Sequence, residues 1–385
     1  MSGRFVLLVV AALLLSACAP AAPAAPTAAP AKPTEAAPAK PTEGAAKPAA
    51  SPGASPAASP SASPAAAAAP AAAAAAPAPS GPLTKLTAAY SNISADNLAP
   101  WIAKEAGLFE KNGLDVELLS INGGSATMAT LLSGQTQLIH GGGSESLSAA
   151  AGGSDVVIMA SLAPVYPYLF YAAPEIKTVE DLKGKKVGIS NPGGSSDIAT
   201  RVGLRKEGLD PDKDIAIVPV GSHANRTAAL VSGAIQGGVD DPPDAIELEE
   251  RGFHVLFDLA SLKLPAANTV LTGQRAWVNS NKETVQKYVD ANVQALALMR
   301  RDRALTIQVM RKYFNQPSGN DHHFEVAYDF FANEVAPTLP YPKAEQFADA
   351  IEILGKTNDK LRGFDPEKVL DPSFVKSSEE RGLQK

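Results

Sequence analysis

Six short loops, at residues 91–97, 121–125, 141–145, 191–196, 221–226 and 240–244, gather the glycine, serine, asparagine and charged side chains of this 385-residue chain. Those residue types hold small polar molecules by hydrogen bonds. The most informative loop reads Asn191-Pro192-Gly193-Gly194-Ser195-Ser196-Asp197. It opens a helix, where the first backbone N–H groups have no partner within the helix, and its glycines let another molecule come close to them. Asn191, Gly194, Ser195 and Ser196 are therefore candidate contacts for an anion or another acceptor. Ser91 and Asn92 begin the first loop. Asn122 and Gly123 lie in Asn122-Gly123-Gly124-Ser125, which either caps a helix or also touches ligand. In Gly141-Gly142-Gly143-Ser144-Glu145, Ser144 is a candidate contact, and Glu145 either joins it or stabilises the first turn of a helix. His223, either a ligand contact or a structural or solvated histidine, and Asp241, either a counter-charge to a cationic group or a turn residue, complete the set. Arg226 is either an anion clamp or a solvated helix residue, and Asp240 and Asp244 are either counter-charges or turn and cap residues. Trp101 either stacks on a planar ligand or closes a core, and one of Tyr166 and Tyr168 is placed to line a cleft.

The same residues do not assemble into a reaction centre. Ser144 follows Gly142-Gly143 but precedes Glu145-Ser146, so the Gly-x-Ser-x-Gly elbow fails. The glycine run matches neither the dinucleotide spacing nor a phosphate loop with its lysine. His322 and His323 are adjacent, so their rings point in different directions on a helix, and no third ligand is near in sequence. No metal or cofactor is expected. The net charge of −6 offers no basic face for nucleic acid.

Positioning these loops requires strands that end where they begin. Residues 86–90, 116–119 and 137–140 read as strands separated by helices at 98–106 and 126–132, an alternation that predicts parallel pairing with helices on the sheet faces. The same grammar returns with strands at 186–189, 215–218, 239 and 254–257, and helices at 197–206, 227–231 and 245–250. Two α/β lobes follow. Residues 168–171 read as the passage from one lobe to the other and 269–272 as the return. From about Asn281 the chain is mostly helical, with Val285, Val289, Val293, Leu296, Met299 and Val309 near helical spacing.

The run from Ile176 through Thr178-Val179-Glu180-Asp181-Leu182-Lys183-Gly184 to Ser190, following Ser133-Gly134-Gln135 and Gly141-Gly142-Gly143-Ser144, resembles the solute-binding proteins of ABC importers. Within them it is most similar to the branch for nitrate, sulfonates, taurine and thiamine-precursor pyrimidines. The likeness covers most of Leu86 to about Trp277, and the order of the motifs carries it. Physically, Thr178 and Asp181 form a capping box after a crossover strand, with a full α/β unit behind them. The resemblance implies an α/β type II periplasmic-binding-protein fold, two lobes joined by two hinge strands. It implies a monomer that closes on a small-molecule ligand, either a nitrate- or sulfonate-like anion or a pyrimidine or aromatic compound. A permease with its ATPase would read that closure. Its fold relatives leave two alternatives, a membrane-anchored ligand sensor and a cytoplasmic pyrimidine-forming enzyme. On these grounds residues 83–170 and 270–385 form lobe 1 and 171–269 form lobe 2.

The first 82 residues supply an address and a spacer. Arg4, an apolar run over 5–15 and Leu15-Ser16-Ala17-Cys18 read as a lipoprotein signal peptide, residues 1–17, with the chain's only cysteine as the lipid attachment point. The apolar run is too short to span a bilayer, and no second run of that kind follows. Residues 18–82 carry the lipid and then an Ala/Pro-rich tether that cannot build a core. At about 3.1 Å per residue it would reach on the order of 200 Å fully extended. The expected location is extracytoplasmic, anchored to a bacterial membrane, which counts against the cytoplasmic enzyme. Cys18→Ser should abolish acyl labelling of the chain in cells; labelling that persists in the variant would contradict the anchor.

Overall fold

The computed structural model describes residues 81–385. The expected signal peptide, Cys18 and the tether up to residue 80 lie outside the described residues.

The first α/β unit runs β1 (Thr84–Tyr90), α1 (Leu98–Glu105), α2 (Leu108–Lys111), β2 (Leu114–Ser120), α3 (Gly124–Leu132), β3 (Leu138–Gly141), α4 (Gly143–Ala151) and β4 (Val156–Val165). The second runs β5 (Leu169–Ala172), β6 (Lys186–Ile189), α5 (Ser195–Lys206), β7 (Ala216–Pro219), α6 (His223–Val231), β8 (Gly237–Asp240), α7 (Asp244–Glu250) and β9 (His254–Asp258). The chain then returns along β10 (Pro265–Gln274) into the helices α8 (Arg275–Ser280), α9 (Lys282–Arg301), α10 (Arg303–Tyr313), α11 (Asp321–Phe330), α12 (Ala348–Leu354) and α13 (Ser373–Glu380). The elements form two five-stranded sheets, ordered β2-β1-β3-β10-β4 and β7-β6-β8-β5-β9. The capping box at Thr178 is present, with Asp181 Oδ2 accepting from the Thr178 N–H at 2.9 Å.

Purely parallel sheets would follow from the helix–strand alternation, and the structure corrects this. β1 pairs in parallel with β2 and β3, and β6 with β7 and β8. β10, however, runs antiparallel between β3 and β4, and β5 antiparallel between β8 and β9. The segments at 168–171 and 269–272 are thus interior strands of the sheets as well as passages between them. β4 has no counterpart in the sequence-based elements: its run Val-Val-Ile-Met-Ala-Ser-Leu-Ala is buried throughout and shows no alternation, the pattern of a strand covered on both faces.

The helical C-terminal region buries the face that its spacing predicts, since Val285, Val289, Val293, Leu296, Met299 and Val309 all lie in the core of the first sheet. The long helix breaks at Asp302, whose carboxylate accepts from the Leu305 N–H at 2.9 Å and so starts α10. Phe347, Ala350 and Ile353 pack in a hydrophobic cluster that joins Phe170 and Val239 of the second sheet to Leu147 of α4, Ile158 of β4 and Val270 of β10, and Arg205 of α5 pairs with Glu352 at 3.1 Å.

Trp101, a candidate ligand contact, is a core residue. It is fully buried, stacks on Tyr313 with ring centroids 4.5 Å apart, and meets Tyr90 edge-on at 5.5 Å. An aromatic near a helix start serves packing as readily as stacking, and here the facing helix supplies Tyr313. Trp101→Ala should lower the unfolding free energy by about 3–5 kcal/mol, the range for emptying such a volume. Urea denaturation checks this, and a loss well below about 1 kcal/mol would mean the ring is not part of the core.

Candidate functional site

A cavity opens where β1, β2 and β3 of the first sheet and β6 and β7 of the second run out, the place where open α/β sheets hold ligands. Its accessible volume is about 60 Å³, room for a few water-sized spheres. The first unit contributes Ser91, Asn92, Asp96, Asn122, Gly123, Gly124, Gly142 and Glu145, together with Asn268 and Thr269 of β10. The second contributes Tyr168, Ser190, Asn191, Ser195, Ser196, Ser222, His223 and Arg226.

Nine of the sequence candidates therefore meet at one cavity: Ser91, Asn92, Asn122, Gly123, Glu145, Asn191, Ser195, Ser196 and His223. Four do not line it. Trp101 is in the core. Ser144 turns its hydroxyl to Glu145, donating to Oε2 at 2.8 Å, and lines a smaller neighbouring cavity with Tyr166. Gly194 has a spatial role, because a Cβ there would stand 2.8 Å from Asn191 Nδ2 and 3.0 Å from Glu145 Oε1. Asp241 is buried behind the cavity wall, where Ser94 Oγ donates to its oxygens at 3.2 and 3.3 Å. Of the two tyrosines, Tyr168 faces the cavity.

The residues that sequence did not single out sit on β10 and in the 3₁₀ turn Ala95–Asn97. Asp96 is the centre of that group. Its Oδ2 accepts from Thr269 Oγ1 at 2.5 Å and Asn268 Nδ2 at 3.2 Å, and its Oδ1 accepts from Asn97 Nδ2 at 2.8 Å. Burial raises its pKa, which the hydrogen bonds from Thr269 and Ser94 and the nearby His223 partly offset. Asn268 and Thr269 fall within or beside the return strand that spacing does reveal, so their place at a crossing between lobes was the signal for them.

The opposite wall carries the cationic groups. Arg226 is 1% exposed; Nη1 donates to Ser190 Oγ at 3.0 Å, Nη2 lies 3.2 Å from His223 Nδ1 and 3.9 Å from Asp240 Oδ1, and Nε has no partner. Of the two readings of Arg226, the solvated helix residue is excluded. His223 Nε2 pairs closely with Asp240. Burial alone would lower the imidazole pKa, but the Asp240 and Asp241 carboxylates outweigh it and raise the value to about 9. Burial likewise raises Glu145 and Asp241, and the latter is raised further by Asp96 and Asp240.

Side chains of the first turn of α5 are engaged with the chain itself. Ser196 Oγ accepts from the Ser190 N–H at 2.9 Å, and Asp197 Oδ2 accepts from the Gly193 N–H at 2.8 Å. Ser195 Oγ donates to the Asn268 carbonyl at 3.2 Å, a bond from α5 to β10. Ser195 and Ser196 thus line the cavity without capping the helix, whose N-cap position is Gly194. Among the described residues no group of three metal-ligating side chains occurs, and His323 meets Glu250 at 3.0 Å. Among the described hydrogen bonds the His223 imidazole meets Arg226 and Asp240, and no side-chain hydroxyl.

Comparison with known proteins agrees with this geometry. The NMT1/THI5-like family profile matches residues 96–303. The chain is 26% identical over 214 residues to YtlA of Bacillus subtilis, named as a binding protein, and the match covers 54% of this chain and 64% of YtlA. Among solved structures, the nitrate-binding protein NrtA of Synechocystis superposes with a TM-score of 0.65 at 17% identity, covering 78% of this chain and 89% of NrtA. The alkanesulfonate-binding protein SsuA of Xanthomonas axonopodis superposes with a TM-score of 0.60 at 21% identity, covering 78% and 99%. The desulfurization enzyme DSZB shares the architecture too, with a TM-score of 0.57 at 19% identity, so the fold by itself does not decide the chemistry. The fold is the two-lobe α/β architecture of periplasmic binding proteins, and on residues 96–303 the chain belongs to the NMT1/THI5-like family.

Proposed function

We propose that this chain is the extracytoplasmic solute-binding component of an ABC importer, a monomer tethered through a lipid on Cys18 that captures a small solute between its lobes. A permease with its ATPase would then take the closed, loaded form. The observation that carries this reading is the cavity itself, walled by loops from two separate sheets and crossed by the bond from Ser195 Oγ to the Asn268 carbonyl. Such a cavity rewards a ligand that touches both walls by favouring the closed arrangement. The family membership supports the reading, as do the binding proteins NrtA and SsuA among its structural likenesses.

The test combines ligand search with a distance measurement. Spin labels at Ser133→Cys and Ser232→Cys, exposed positions at the ends of α3 and α6, would sit on the two units in a Cys18→Ser background. A library of compact solutes should contain one that raises the melting temperature, because a ligand bound only to the folded state stabilises it. The same solute should shift the inter-label distance to a single shorter population. A library in which no compound raises the melting temperature, or a binder that leaves the distance distribution unchanged, would contradict the proposal.

A further inference from the structure

The walls of the cavity differ in charge from what an anion requires. Asp96 and Glu145 line it, and Asp241 lies behind it. Among the described residues, no Lys or Arg forms an ion pair with any of the three; Asp241 reaches only His223 Nδ1, at 4.0 Å. Arg226 is the guanidinium on the wall, and it shares the Asp240 carboxylate, 3.9 Å away, with His223. Buried carboxylates without a cationic partner are costly, and a bound cation with N–H donors relieves that cost.

A second observation is independent of the charges. Asn268 is 4% exposed and lines the cavity, and its Oδ1 has no hydrogen-bond partner. The amide cannot be turned over to cure this, because its Nδ2 donates to Asp96 Oδ2 at 3.2 Å, and the flipped amide would set an oxygen against a carboxylate. A buried acceptor is therefore left waiting for a donor next to Asp96. At the α5 N-terminus, where an anion would be favoured, Glu145 Oε1 comes within 3.0 Å of the Cβ position of Gly194, so an arriving anion would face a carboxylate. Arg226 Nε is a buried donor without a partner on this wall, which suits a single acceptor atom at the far end of the ligand.

Resting on the reading of this cavity as a solute site, we propose that its ligand is a compact cation, an amine, amidine or guanidine carrying one acceptor group. The positive end lies against Asp96, Asn268 and Glu145, and the acceptor faces Arg226. The accessible volume of about 60 Å³ suits a small molecule.

The full-length chain should be titrated, by thermal shift and by calorimetry, with ethanolamine, acetamidinium and guanidinium, and in parallel with nitrate, methanesulfonate and acetate. At least one cation should raise the melting temperature and bind at least about tenfold more tightly than every anion, a difference of about 1.4 kcal/mol. Glu145→Gln should weaken that cation by about tenfold or more, and Asp96→Asn, which keeps an acceptor for Thr269, should do the same if the first variant folds poorly. Binding of anions alone would overturn the cation assignment and leave the solute-binding reading intact. Cation affinity untouched by both substitutions would overturn the placement. Binding by neither class overturns the assignment, and only the failure of the broader library would take the solute-binding reading with it.

Discussion

The two sheets meet over two buried carboxylates. Asp96 comes from the loop after β1 and Asp241 from the loop after β8, and Asp96 raises the pKa of Asp241 beyond what burial does. Ser94 joins them, donating through Oγ to Asp241 while its oxygen caps the turn that contains Asp96 at 3.5 Å from the Asp96 N–H. Like charges brought together out of water repel strongly, so the arrangement holds only because hydroxyl, amide and imidazole donors surround it. Thr269 and Asn268 supply those donors from β10, and His223 supplies the imidazole from α6.

That constraint explains why β10 carries so much of the site. It is an interior strand of the first sheet, hydrogen-bonded to β3 and β4, and its start points toward the second unit. A residue on it is held by the sheet while facing the junction. Asn268 and Thr269 can therefore fix Asp96 from one side while the Asn268 carbonyl receives Ser195 from the other. Close approach of the walls depends on residues without side chains: a Cβ on Gly142 would meet Ser195 Oγ at 2.5 Å, and one on Gly194 would meet Asn191 and Glu145. Glycine serves here by leaving space, since both have ordinary negative φ values of −70° and −80°.

Most of the architecture was legible in the sequence because local signals and tertiary structure agree in this chain. The strand at Lys186–Ile189 and the helices that follow β6 and β8 are marked by apolar runs and by glycine and proline punctuation. What stayed hidden depends on pairing at long range. β4 is apolar on both faces, so nothing alternates; the antiparallel insertion of β5 and β10 is decided by partners far away in sequence. The site shows the same division. Loop glycines and serines announce themselves by composition, and nine of the candidates converge. Asp96 carried no signal of its own, and for Arg226 only the junction that buries it decides between clamp and solvated residue. Trp101 was open between ligand and core in the same way, and its packing on Tyr313 places it in the core.

The central claim is that a solute is held by both walls at once. Amide hydrogen exchange, followed by mass spectrometry on the full-length chain with and without a solute that raises its melting temperature, tests this directly, because exchange reports local opening. Bridging predicts slower exchange in residues 91–97 and 190–196 together. Protection confined to one of these loops, or to neither, would contradict it.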